Sequence, residues 1–206
     1  MANTDAAFGF RPWGEVLRAR LYAVQTAPTI NVFHGDMVSA ETSGLACTGG
    51  HGTMLMISDA KIIPGTTGDE LPILGVVLAI FDENMVPLKY IAATRVGDST
   101  VAGYVLVADH PSQVYVVQED GDTAAIAVAD IDLNFDIYSP ALSLGNTYTG
   151  TSYQEIDSNS GAVTATLALK ITGMAYPNQD SQGSTGCRWI VQVNPAAHYY
   201  GPSAAI

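Results

Sequence analysis

Basic residues are scarce in this chain: eight Lys and Arg stand against twenty Asp and Glu in 206 residues, a formal net charge of -12. Phosphate backbones are bound by clustered Lys and Arg, so the shortage argues against nucleic acid as the principal partner. Charge of either sign is also sparse, at 14% of residues against about 25% in an average soluble domain, so the surface must be built from Ser, Thr, Asn, Gln and Gly. Cysteine is reduced to Cys47 and Cys187 without CxxC spacing. That excludes a disulfide framework and a cysteine zinc site, and leaves open one bridge or two free thiols. The longest apolar run, ILGVVLAIF from Ile73 to Phe81, has nine residues, about half of what a membrane helix needs, so no membrane partner is expected. The start MANTDAAFGF has neither the basic nor the apolar region of a secretion signal, and a soluble protein is expected. With 48% hydrophobic residues the chain is not globally disordered. At this length it buries roughly 70% of its unfolded surface and needs no metal or disulfide staple.

A sustained 3.6-residue apolar stripe is missing too. The best helix candidate, Thr123 to Asp130 behind Asp122 as a possible N-cap, is short enough to be a strand instead. What is present is a series of short segments rich in Val, Ile, Leu, Thr and Tyr, separated by Gly and Pro: Thr53 to Ile57, Ile73 to Phe81, Val101 to Ala108, Gln113 to Gln118, Val163 to Thr172 and Cys187 to Val193. Val163, Ala165, Leu167, Leu169 and Ile171 alternate with more polar neighbours, as do Trp189, Val191 and Val193, the period of a strand with one buried face. The expected class is all-β, an antiparallel β-sandwich or barrel.

Catalytic signatures are absent. His34, His51, His110 and His198 show no HxxxH or HExxH spacing, no GxSxG occurs, and the Gly-Gly-His-Gly turn at 49 to 52 lacks the rest of a phosphate loop. Asp130, Asp132, Asn134 and Asp136 have the alternate-oxygen spacing that opens a calcium loop, but Phe135 and Ala141 stand where the loop needs Gly and Glu. The same spacing is the wet face of a strand whose apolar complement is Ile131, Leu133, Phe135 and Ile137. Glu119, Asp120 and Asp122 crowd around Gly121 and read as a turn with an exposed acidic tip. The expectation is a protein without catalytic residues, metal or cofactor.

The charges are unevenly placed. From Val96 to Leu169 there are ten acids and no Lys or Arg, whereas the first twenty residues hold Arg11, Arg18 and Arg20 among Phe8, Phe10, Pro12 and Trp13. This divides the chain into an N-terminal arm, 1–20, a β-rich domain, 21–193, and a C-terminal tail, 194–206, with Tyr199 and Tyr200. A segment of aromatics between Gly and Pro cannot close a core alone, so it docks on this domain or on a partner.

The opening MANTDAAFGFRPWG resembles the MANxxAPFGFRP opening of a family of small structural proteins encoded in the head-gene region of tailed bacteriophages. The resemblance continues through LPILGVVLAIFDEN at 71 to 84, QVYVVQEDGDTAAIAVADIDLNFDI at 113 to 137, GTSYQEIDSNSGAVTATLALKITGM at 150 to 174 and RWIVQVNPAAHYY at 188 to 200. It implies a capsid cement or decoration protein without enzymatic activity, made in the host cytoplasm, whose β-sandwich is jelly-roll-like with extended N- and C-terminal arms. Such a protein binds the exterior of the major capsid protein shell as a homo-oligomer, a dimer or trimer, and ties capsomers together. The capsid-binding residues would be Phe8, Phe10, Arg11, Pro12, Trp13, Arg18, Arg20, Tyr199 and Tyr200, and removing residues 1 to 14 should abolish binding while the domain stays folded. A tail-tube or head-tail joining subunit and a surface glycan-binding or glycan-hydrolysing β domain are the other classes the residues allow.

Overall fold

The computed structural model describes residues 6–25, 28, 30–40, 56–61, 72–97, 101–122, 124–138, 145–164 and 167–201, with 40 and 56–61 as backbone only. In chain order the strands are β1 (Arg11–Pro12), β2 (Ala19–Gln25), β3 (Val32–Phe33), β4 (Met37–Ala40), β5 (Met56–Lys61), β6 (Ile73–Phe81), β7 (Tyr90–Ile91) and β8 (Val101–Ala108). They continue as β9 (Val114–Gln118), β10 (Asn134–Tyr138), β11 (Gly145–Asn146), β12 (Thr151–Ser152), β13 (Glu155–Ala162), β14 (Leu169–Met174) and β15 (Arg188–Val193). The chain is all-β, and the one helical piece among the described residues is a single 3-10 turn at Val128–Asp130.

Five strands pair in a ring, β2-β5-β4-β6-β8, and close a barrel. Its pairs are antiparallel except β2 with β5, which run parallel. A second sheet, β1-β9-β15-β14-β10-β13, is antiparallel throughout. The continuous apolar run of β6 follows from its place between the two. Leu74, Val77 and Ile80 join the core inside the barrel, while Ile73 and Val76 join the core under the second sheet. A strand buried on both faces has no reason to alternate, and each of these side chains contributes about 1.5–3 kcal/mol by leaving water. Gly75 permits the close packing here, because a Cβ at that position would collide with the Ala108 carbonyl.

Three strand readings match closely: β6 and β8 span the expected residues, and β15 buries Trp189, Val191 and Val193 as its alternation requires. Others need correction. The strand expected over Val163 to Thr172 begins only at Leu169, and Val163 is 87% exposed. The helix candidate, described from Ala124 to Asp130, is no regular helix: Asp122 Oδ1 accepts the Ala124 N–H at 2.7 Å, which turns the chain, and only the last residues wind. The segment Thr53 to Leu55 and the Gly-Gly-His-Gly turn lie outside the described residues, as does Cys47. Cys187 is buried, and its thiol donates to the Ser181 and Ser184 carbonyls.

Arm and tail do not stand apart from the domain where they are described. β1 is the edge of the second sheet and β2 is a barrel stave. In the tail, Ile73 N–H bonds Ala197 O at 2.8 Å and Tyr199 N–H bonds Ile73 O at 2.7 Å.

Candidate functional site

The aromatic arm lies on its own domain. Gly9, at φ +70°, sits so close to Ser152 that a Cβ would come within 2.6 Å of the Ser152 Cβ. That approach delivers Phe10 into the core, where it is 1% exposed beside Met37, Ile73, Val76 and Tyr115. Its N–H bonds Gly35 O at 2.8 Å. Arg11 and Pro12 then pair with Val116 and Tyr115 of β9, and Trp13 N–H bonds Val114 O at 2.9 Å. The Trp13 ring meets Tyr176 edge-on at 5.4 Å, and Tyr176 carries the Arg188 guanidinium 4.0 Å from its centroid. Phe8 stays half-buried with the Arg11 guanidinium 5.3 Å from its ring centre. Of the two docking alternatives, the residues from 6 to 20 follow the first. Phe10 is therefore withdrawn from the partner-binding set, because a ring in the core cannot fill a groove elsewhere. Deleting residues 1 to 14 would remove that ring and β1, so it is not a clean excision of a docking arm.

The two other arginines of the arm, Arg18 and Arg20, meet at the mouth of the barrel. Tyr22 and Val24 of β2 point into the barrel core, as do Val105 and Val107 of β8. Side chains two apart share a strand face, so the inward row of β2 continues outward to Arg20 and Arg18, and that of β8 to Asp109. Register puts them together, with Ala19 opposite Ala108. The Asp109 carboxylate, 0% exposed, accepts Arg18 Nε–H at 2.7 Å, Arg20 Nε–H at 2.5 Å and the Tyr22 hydroxyl at 2.5 Å. Arg18 also donates from Nη2 to the Asp109 carbonyl at 2.7 Å. Burial pushes the Asp109 carboxyl up, but the bonds from Tyr22, Arg18 and Arg20 and the Arg18 charge outweigh it and hold it below the ordinary range. Burial and the same carboxylate push the Tyr22 phenol far up.

The tail closes this mouth. Tyr199 packs against the barrel core. Tyr200 lies beneath both guanidiniums, at 5.0 Å from Arg18 and 4.5 Å from Arg20, with its hydroxyl 3.3 Å from that of Tyr22. His198, 1% exposed, accepts the Tyr200 N–H at Nδ1 (3.0 Å), which assigns its proton to Nε2, and Nε2 has no hydrogen-bond partner among the described residues. Burial holds the imidazole down at about 4. Beside the node Val16 and Leu17 are exposed, at 44% and 54%, while the Arg18 and Arg20 side chains keep 36% and 45%. An apolar and basic patch therefore covers a barrel end in a chain of net charge -12. The five residues Val16, Leu17, Arg18, Arg20 and Tyr200 are the candidate site. Asp109 was missed by sequence reading, although the R-x-R-x-Y row ending in β2 and the V-x-V-x-D row ending β8 were the available signal.

Phe8 and Arg11 belong to a different place, an open groove of about 620 Å³ lined also by Ala6, Thr151 and Tyr153.

The acidic stretch is arranged otherwise. Glu119 and Asp120 are buried at 0% and 3%, so the exposed acidic tip expected from the sequence is corrected. Glu119 accepts Ile126 N–H (2.9 Å), Cys187 N–H (3.2 Å) and Trp189 Nε1–H (3.2 Å), and ties the following loop to β15. Burial still pushes its carboxyl up to about 7, with Asp120 adding to the rise. Asp120 itself is raised, first by burial and then by Asp122 and Asp157, against bonds from Ser158. The four side chains with calcium-loop spacing go to separate partners: Asp130 to Ala127 N–H, Asp132 to Lys170, Asn134 to Thr164 O, and Asp136 to Ala168 N–H. Among the described residues no group of three or more His, Cys, Asp or Glu is placed to hold a metal ion.

No family model, curated protein or solved structure matches this chain.

Proposed function

We propose that the chain is a virion structural protein, a cement or decoration protein that binds the exterior of a major capsid protein shell and stabilises contacts between capsomers. The reading starts from the resemblance of the opening and closing segments to phage head proteins. The observation that supports it best is the barrel-mouth patch, where two partly exposed arginines lie over Tyr200 and the exposed Val16 and Leu17 directly precede Arg18 in the chain. Interfaces are anchored by aromatic and Arg side chains set among apolar ones, and here Arg18 and Arg20 meet Tyr200 at one such surface. Packaged DNA presses on a shell from inside, and a protein bridging two capsomers adds interface that must break before they part. Many copies multiply small energies through avidity, and the acidic body keeps free copies soluble. On this reading the functional form is a dimer or trimer seated on the capsid.

The test uses surface substitutions, which leave Phe10 in place. Val16→Asp with Leu17→Asp changes only exposed side chains and should reduce co-sedimentation with undecorated capsids at least about tenfold, a loss of roughly 1.4 kcal/mol per site. Undiminished decoration by a folded double variant would remove this surface from the proposal, and failure of the unaltered protein to sediment with capsids would remove the function.

A further inference from the structure

We propose that the barrel mouth is a recognition site for a single protein carboxylate, an Asp or Glu side chain of the partner flanked by an apolar residue, held by the outer N–H groups of Arg18 and Arg20 over Tyr200. The proposal deepens the docking role given to this patch and specifies the chemistry that the partner must present there.

The argument is a count of donors and acceptors. Arg20 uses only Nε–H on the protein, and Arg18 uses Nε–H and one Nη2 position. Both Nη groups of Arg20 and Nη1 of Arg18 have no acceptor among the described residues, and a guanidinium offers five N–H donors and accepts nothing. Tyr22 gives its hydroxyl proton to the same carboxylate, and the buried His198 Nε2–H, in electrostatic reach of Asp109 and Arg18, has no acceptor among the described residues either. Donors thus exceed acceptors around Asp109, and two positive charges face one negative. What completes such a site is an acceptor-only group of unit charge, and an ionised carboxylate is that group. The forks are also already ordered. Asp109 fixes each Nε, and the Tyr200 ring supports both guanidinium planes, so little side-chain entropy remains to be lost on binding.

Two features favour a protein carboxylate over a free anion such as phosphate. Val16 and Leu17 are exposed and directly precede Arg18 in the chain, and they offer apolar surface that a hydrated inorganic ion cannot use. The net charge of -12 repels a doubly charged phosphate more than a singly charged side chain, beyond the reach of local pairing.

The experiment follows arginine Nε–Hε resonances and the Tyr200 ring of the full chain by NMR while N-acetyl-Glu-Leu-amide, its Gln counterpart or inorganic phosphate is added. The chain has five arginines, so Arg95 and Arg188 serve as internal references. The Glu peptide should shift Arg18, Arg20 and Tyr200 saturably while the Gln peptide does not, and Arg20→Lys, which keeps the charge but loses the outer fork, should weaken binding about fivefold. Lys170→Gln, which alters a surface pair elsewhere, should leave it unchanged. Absence of saturable shifts at Arg18 and Arg20, equal shifts at Arg95 and Arg188, or saturation by phosphate but not by the peptide would each overturn the proposal. No capsid enters the titration, so its failure is separate from failure of the capsid-binding reading.

Discussion

Asp109 and Glu119 are both buried to 0% exposure, and each carboxyl accepts three hydrogen bonds from the protein. Their protons nevertheless move in opposite directions: Asp109 is held below its ordinary value and Glu119 is raised to about 7. Burial raises both, and each has three donors. The difference is charge. Two of the Asp109 donors are guanidiniums, whereas Glu119 is served by two backbone N–H groups and an indole, with the Asp120 carboxylate alongside. A neutral donor offsets part of the desolvation of a carboxylate, while a fixed cation offsets the rest. The barrel mouth is thus built to keep a charge, and the loop beside β9 is built around a carboxyl poised to lose one.

Removing the cations should abolish that contrast and has the largest expected effect. In Arg18→Ala/Arg20→Ala the Asp109 carboxylate stays buried with Tyr22 alone, and unfolding stability at pH 7 should fall by about 3 kcal/mol. The figure sits at the low end for a broken buried pair because both guanidiniums are more than a third exposed and water takes over part of their role. The Asp109 carboxyl should then titrate above its ordinary value, as Glu119 does, when followed by carbon NMR. A loss under about 1 kcal/mol in urea unfolding, with Asp109 still titrating low, would show that charge is not what separates the two sites. A smaller step in the same direction is Tyr22→Phe. It removes one neutral donor to a charged acceptor, about 1.5 kcal/mol, and should raise the Asp109 carboxyl without bringing it to the Glu119 range.

The contrast was only partly legible beforehand. Uneven charge along the chain was plain, and the strands of the Glu119 side could be read because β9 and β15 are short, apolar and bounded by turns. The burial of Glu119 was not readable: EDGD has the composition of an exposed turn, and only the pairing of Glu119 N–H with Cys187 O, and of Asp120 N–H with Ile156 O, draws the first two acids inside. The arm misled for a related reason. Gly, Pro and aromatics resist regular structure, yet Phe10 needs only Gly9 at positive φ to enter the core. β2 went unrecognised because Arg18 and Arg20 look like the end of a basic tail, although they continue an inward strand face at a barrel mouth. β13, EIDSNSGA, carries too few apolar residues to announce a strand and is held by its pairing with β10. Asp109 looks like any acid until the two faces are placed against each other.

The last effect is a slope with pH rather than an offset. Glu119 has an ordinary value of 4.5 and is raised to about 7 in the fold, so between those values the native state holds a proton that the unfolded chain has released. Its contribution is fully present below pH 4.5 and is lost as pH rises through 7. His198 acts in the opposite sense over part of this window: lowered from 6.5 to about 4, it contributes above pH 6.5 and loses that contribution as pH falls toward 4. Asp109, lowered from 3.8, has its effect only in more acid solution. Wild-type stability therefore mixes these groups, and the informative quantity is the difference between wild type and Glu119→Gln. The Gln amide sets a donor against one of three N–H groups, which shifts stability by a similar amount at every pH and leaves the slope to report the carboxyl. The wild type should lose stability relative to the variant from pH 4.5 to 7 and run parallel to it above. A difference that stays flat across the window would mean that three neutral donors hold Glu119 ionised as firmly as the two guanidiniums hold Asp109.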